Sequence, residues 1–228
     1  EIMLAIFKRE FKSYFQNVIG WLFVAALLAV YGLYFYVYNL KNGYPYISYD
    51  LNGIGFIMMI AVPILTMRSL SDEKKTKTDQ LMLTSPVSVG KIVAGKYFAM
   101  AAVYTIDIAL FALSPLVLSI YGKVALSEAY VALFGYWLYG LSCIAVGLFI
   151  SSISESVIIS AILTFAALFL SYMMQSITGL ISSSGNLLTK VLNCFDLYTP
   201  FENFVSGCFS VTSAAYYVTV ILLSLIHI

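Results

Sequence analysis

Apolar runs about twenty residues long recur along the chain, separated by short polar or charged segments. A helix needs about twenty mostly apolar residues to cross about 30 Å of hydrocarbon. Residues 18–38 qualify, with Trp21 at one end and Tyr31, Tyr34, Tyr36 and Tyr38 toward the other, where aromatic rings suit the two membrane interfaces. Residues 51–70 predict a second span interrupted by Pro63, a kink that neighbouring helices tolerate, and 97–120 a third that carries Pro115. Residues 130–153 and 157–177 predict a fourth and a fifth, joined by the turn Ser154, Glu155, Ser156. Residues 214–228 predict a sixth, 15 residues long and near the lower limit for a crossing, so a truncated reading frame is expected there. The expected fold is all-α: one polytopic membrane domain, residues 1–228, of six transmembrane helices.

Ahead of the first span the period changes. Leu4, Phe7, Phe11, Tyr14 and Val18 recur at steps of three and four, while Lys8, Arg9, Glu10 and Lys12 fill the other face. Residues 1–17 therefore predict an amphipathic helix on the cytoplasmic membrane surface, either a plain anchor or a helix that also touches a soluble partner. A secretory signal peptide is excluded, because the apolar run after these charges is too long and no A-x-A-like cleavage site follows.

Composition agrees with the pattern. Of 228 residues, 61% are hydrophobic and 10% charged, with a mean hydropathy of +0.94, whereas a soluble chain is about 25% charged. There is too little polar side chain to clothe a water-soluble core, so the lipid bilayer is the expected solvent. A net charge of +1 sets up no basic field, and no nucleic-acid partner is expected. With the N-terminus inside, the inner segments hold Lys8, Arg9, Lys12, Arg68, Lys74, Lys75, Lys77, Lys91 and Lys96, nine against the outer three, Lys41, Lys123 and Lys190. The positive-inside rule then favours a multi-pass cell-membrane protein with both termini cytoplasmic.

The longest cytoplasmic segment, 69–91, is dense in charge from Asp72 to Asp79 and ends in an apolar knob, Leu81, Met82 and Leu83. Ser85 and Pro86 break the chain, and Ser88 is placed to cap the helix that rises into the third span. A charged helix ending in such a knob suits a pocket on a soluble subunit; the plainer alternative is a loop dipping into the lipid surface. On the outer side, 178–213 carries Leu187, Leu188, Val191, Leu192, Phe195, Leu197, Phe201, Phe204 and Phe209, which predicts short re-entrant helices rather than a free loop.

Catalytic chemistry is poorly represented. Gly90 to Tyr97 nearly matches a phosphate-binding loop, but Tyr97 replaces the hydroxyl residue that would hold magnesium and no strand precedes it, so the chain offers no ATP site of its own. His227 is the only histidine and sits at the end, and no nucleophile-elbow or H-E-x-x-H pattern occurs. Neither catalytic residues, nor a metal site, nor a cofactor in this chain is expected. Cys143, Cys194 and Cys208 lack metal-type spacing; Cys143 reads as packing, and a bridge between Cys194 and Cys208 is conceivable. Asp107 is the one acid near the middle of a span, where a charge usually pairs or lines a polar path, with Tyr104 and Tyr139 as candidate donors. Ser156, Ser160 and Thr164 form a small-polar stripe that suits close packing, within the bundle or against a second copy. From the residues alone three functions stay open: the membrane half of an ATP-driven exporter, an ion- or proton-coupled transporter working through Asp107, and a scaffold without transport.

Three stretches carry a resemblance. The chain from Ile6 to Phe15, the segment Arg68 to Ser88 continuing to Lys96 and Tyr97, and Phe201 to Gly207 ahead of Tyr216 and Tyr217 resemble the permease subunits of ABC-2-type transporters, in particular the gliding-motility-type branch. Lys77 stands where that motif often has glycine, and Gln80 where it often has glutamate. The resemblance implies that Glu73, Lys74, Lys75, Thr78, Gln80, Leu81, Met82, Leu83, Ser85 and Pro86 belong to the segment that docks an ATP-binding-cassette ATPase, which itself binds ATP and magnesium. It also implies a surface helix, including Phe7, Lys8, Arg9 and Phe11, that transmits movement, and a second permease copy, the pair rocking between inward- and outward-facing states with the outer segment gating the exit.

Overall fold

A computed structural model of the chain describes residues 2–78, 87–181 and 193–228, and every regular element among them is a helix. Helices satisfy their backbone polar groups internally, which is what a lipid solvent demands. In chain order they are α1 (Ile2–Gln16), α2 (Val18–Phe35) continued by a π-helical turn (Tyr36–Lys41), α3 (Ser48–Gly55), α4 (Met58–Thr66), α5 (Ser71–Lys75), α6 (Val89–Phe111), α7 (Ser114–Tyr121), α8 (Leu126–Ile153), α9 (Val157–Ile181), α10 (Thr199–Val205) and α11 (Val211–Ile226).

Four stretches are long and apolar enough to cross a membrane: Val18–Lys41, Val89–Tyr121, Leu126–Ile153 and Val157–Gly179. A fifth exists if Ser48–Gly55 and Met58–Lys75 are one span, bent by 59°. The bend does not fall at Pro63, where the sequence suggests it, but before it, at Phe56 and Ile57. Pro63 has no N–H to give Met59 and its ring crowds that carbonyl, which weakens the ladder ahead of it. Tighter bonds carry the chain through: Ile57 N–H to Ile54 O at 3.0 Å and Met59 N–H to Phe56 O at 3.2 Å. The sixth expected span corresponds to α11, whose 16 residues reach about 24 Å, short of the other four.

The third span also starts earlier than Tyr97. α6 begins at Val89 with Ser88 at the N-cap, as expected, although the Ser88 hydroxyl makes no capping hydrogen bond; its carbonyl accepts from Lys91 N–H at 2.9 Å. The helix can run past Lys96 because that charge is neutralised by acids from two other elements.

α8 is the axis of the bundle and packs against α3, α4, α6, α9, α10 and α11. Its sequence explains this: small residues line it, and each admits a larger side chain. A Cβ on Gly135 would collide with Phe204, on Gly140 with the Tyr104 ring, and on Gly147 with Thr66 Oγ1 at 2.6 Å. Small residues let helices approach closely where lipid gives no hydrophobic drive. Ser160 and Thr164 of α9 are buried within this bundle, so that part of the stripe packs inside the chain. The opposite faces, including Trp21, Leu33, Ile158, Ile162, Leu222 and Ile226, are exposed apolar surface of the kind lipid covers.

Candidate functional site

At one end of the bundle, α1, α5 and α6 converge on one side chain. Lys96 of α6 is 2% exposed, and its ammonium donates to Glu73 Oε1 of α5 at 2.6 Å, Glu10 Oε1 of α1 at 3.3 Å and the Ser69 carbonyl at 3.1 Å. The neighbouring Gly95 has its own role: a Cβ there would meet Ile6 Cγ2 at 2.9 Å, so glycine is what lets α1 lie against α6. The Gly-Lys pair that mimics a phosphate loop is thus a helix crossing followed by an ionic tie.

The segment that opens with α5 is held from the other side by α8. Leu70 and Ser71 N–H both donate to Ser151 Oγ at 3.2 Å, and the Lys74 ammonium donates to the Ser152 carbonyl. The hydroxyls of Thr76 and Thr78 fold back on α5, Thr76 onto the Asp72 carbonyl at 2.8 Å and Thr78 onto the Glu73 carbonyl at 3.3 Å. Lys77 sits at φ 56°, the left-handed region that disfavours a side chain by about 1–2 kcal/mol. That is the position where the resembled motif often carries glycine, and the backbone explains why. Lys75 is exposed.

A cleft of about 420 Å³ opens over this node, lined by Arg9, Glu10, Tyr14, Arg68, Asp72 and Glu73, among others. Burial pushes the Tyr14 phenol above its ordinary range, and the Glu10 carboxylate adds to the rise. The phenol therefore stays a donor, reaching the Leu65 carbonyl at 3.4 Å. Arg9 bonds Glu10 at 2.6 Å, and Arg68 bonds Asp72 at 3.3 Å. Phe7 and Phe11 of α1 stack at 5.8 Å, and Lys8 faces outward. Gln80, Leu81, Met82, Leu83, Ser85 and Pro86 lie outside the described residues.

A second construction surrounds α10. Asp196 accepts from Tyr198 N–H at 2.9 Å, Thr199 N–H at 3.0 Å and the Thr199 hydroxyl, and so caps α10. Phe201 and Phe204 of α10 are fully buried on α8, with Phe201 stacked on Tyr139 at 5.7 Å. Ser171 Oγ donates to the Phe195 carbonyl at 2.7 Å and accepts from Leu197 N–H at 2.9 Å, and Tyr217 Oη donates to the Leu197 carbonyl at 2.8 Å. These ties seat the expected outer helix, whereas Phe195 and Phe209 are exposed; residues 182–192, with Leu187, Leu188, Val191 and Leu192, are not described. Cys194 and Cys208 form no disulfide.

Asp107 is fully buried, as the sequence suggests, but the tyrosines named for it bond elsewhere or not to it. Tyr104 Oη donates to the Tyr136 carbonyl at 2.7 Å, and both Asp107 oxygens lack a hydrogen bond among the described residues. Among the described residues no group of histidines, cysteines and acids could hold a metal ion.

The sequence reading left the node unassembled. Lys96 was visible only as an inside charge, and Glu10 only as part of a polar face. One signal was present: with the helix starting at Val89, Ile92, Lys96, Ala99 and Val103 share a face, and a lysine on an apolar face needs acids from outside its helix.

These features define a multi-pass helical membrane protein with an ion-paired node at the foot of α6 and α10 seated against α8. Residues 10–228 match the family described as ABC-2 family transporter protein, and the chain belongs to that family. No curated protein matches it.

Proposed function

We propose that the chain is the membrane-spanning permease subunit of an ATP-binding-cassette exporter, driven by a separate ATPase that binds ATP and magnesium. The observation that supports it is the anchoring of α5: the first turn of the cytoplasmic segment is tied to α8 through Ser151 and to α6 through Lys96. A force applied to the segment would therefore reach the bundle. In this reading the segment from Glu73 to Pro86, with Leu81, Met82 and Leu83 as its apolar contacts, docks the ATPase. α1 lies on the cytoplasmic face, six spans place both termini inside the cell membrane, and two permease copies form the substrate path between them. The stretch from Glu73 to Ser88 supports placement in the gliding-motility-type branch. ATP then drives transport by binding one conformation better than the other.

The double substitution Leu81→Asp and Leu83→Asp is expected to abolish copurification of the ATPase while the chain still inserts in the membrane, since each buried apolar contact is replaced by a charge. Immunoblotting of detergent-solubilised complex reads the outcome, and undiminished copurification would remove the docking assignment.

A second reading, ion- or proton-coupled transport, is favoured by one observation alone, the buried Asp107 carboxyl without a hydrogen-bond partner among the described residues.

A further inference from the structure

Three facts about the cytoplasmic node do not follow from assembly alone. First, α1 is already seated on α6 through the close approach at Gly95, and α5 is already tied to α8 through Ser151. Neither helix needs an ion pair to find its place. Second, burying an ammonium is costly, and apolar side chains of similar volume in place of the lysine and both its acids would fill the same space with little or no loss of stability. Third, one lysine serves two acids at unequal lengths, 2.6 Å to Glu73 and 3.3 Å to Glu10, and the two acids are 19% and 17% exposed, at the floor of an open cleft. The buried charge sits where two elements have room to move against a third.

We propose that Lys96 is a positioning residue of the transport cycle, an ionic relay that carries movement of the coupling segment to the surface helix α1. This rests on the docking reading above. In the state described here the ammonium is closest to Glu73 and more loosely held by Glu10. When the docked ATPase draws α5 away, the Glu73 contact lengthens and the Glu10 contact shortens, so α1 is pulled over the foot of α6. The charge stays compensated throughout, and exchange between two partners gives the node two discrete arrangements rather than a continuous stretch. Lys96 touches neither ATP nor cargo in this scheme; it acts through α1 and α5.

The test uses the complex purified through this chain with its ATPase and placed in lipid nanodiscs. Cys194→Ser and Cys208→Ser remove the exposed thiols, and spin labels go on Lys12→Cys in α1 and Ser119→Cys at the outer end of α7, both exposed. Double electron–electron resonance then reads the distance between them with and without ATP plus vanadate. With Lys96 present, nucleotide is expected to shift the distance distribution. Lys96→Met is expected to keep the ATPase bound and hydrolysing ATP, yet lose at least four-fifths of that shift; Lys96→Arg restores it. Should Lys96→Met fail to assemble with its two acids unpaired, Glu10→Gln, which leaves the Lys96–Glu73 pair and the docking segment intact and removes only the partner on α1, carries the same expectation. A nucleotide-dependent shift unchanged in these variants, or absent from the parent complex, overturns the relay alone. A parent chain that purifies without any ATPase overturns the docking reading, and the relay with it.

Discussion

Valine at position 140 is expected to destabilise the protein by about 3 kcal/mol, the upper end of what overpacking a well-filled core costs. Gly140 faces the Tyr104 ring across the crossing of α6 and α8, and a Cβ there would collide with Tyr104 Cζ. Tyr104 has nowhere to retreat: it is fully buried, lies 6.3 Å from the Tyr136 ring, and donates its hydroxyl to the Tyr136 carbonyl at 2.7 Å. Displacing it also breaks that hydrogen bond, and a buried partner left unpaired adds about 1–3 kcal/mol of its own unless the helices separate to relieve both. Gly32→Val is the control, since nothing lies within 4 Å of a Cβ built there. Denaturant titration in mixed micelles should show Gly140→Val losing stability and Gly32→Val changing little. Equal stabilities would mean that the α6–α8 crossing is not built on Gly140.

Asp107→Leu is expected to act in the opposite direction, raising stability by about 2 kcal/mol. Both Asp107 oxygens are buried and make no hydrogen bond among the described residues, so the carboxyl bears the desolvation of a polar group with no partner to offset it. Leucine is close in size and has nothing to desolvate. The same substitution separates the two functional readings. ATP-driven transport should survive it, because Asp107 lies away from the Lys96 node; a transporter coupled to protons through Asp107 would stop. A less stable variant would show that the carboxyl is held by something that leucine cannot replace.

Spans four and five were legible to within a few residues because nothing interrupts them: 126–153 and 157–181 are continuous apolar helices joined by a three-residue turn. The second was less so, because proline signals where a helix is weakened and not where it gives way. The foot of the third span was placed too late for a sharper reason, although Ser88 was read as the cap of the helix that enters it. Lys91 and Lys96 look like the polar edge of a span, and only the acids brought in by α1 and α5, 86 and 23 residues away in sequence from Lys96, make Lys96 an interior residue. The cap of α10 was local and went unread: Asp196 stands two and three residues ahead of the amides it accepts from, those of Tyr198 and Thr199. Lys77 is the contrary case. A departure from the resembled motif was visible in the sequence, and it fell on the one non-glycine residue described with a left-handed backbone.

The central claim is that a separate ATPase acts on this chain through the cytoplasmic segment between α5 and α6. A photo-reactive amino acid placed at Leu83 in living cells tests it most directly. Irradiation is expected to join the chain to a protein that binds and hydrolyses ATP, and the Leu81→Asp background should abolish that product. Crosslinks to lipid alone, with no ATP-hydrolysing protein attached, would contradict the account.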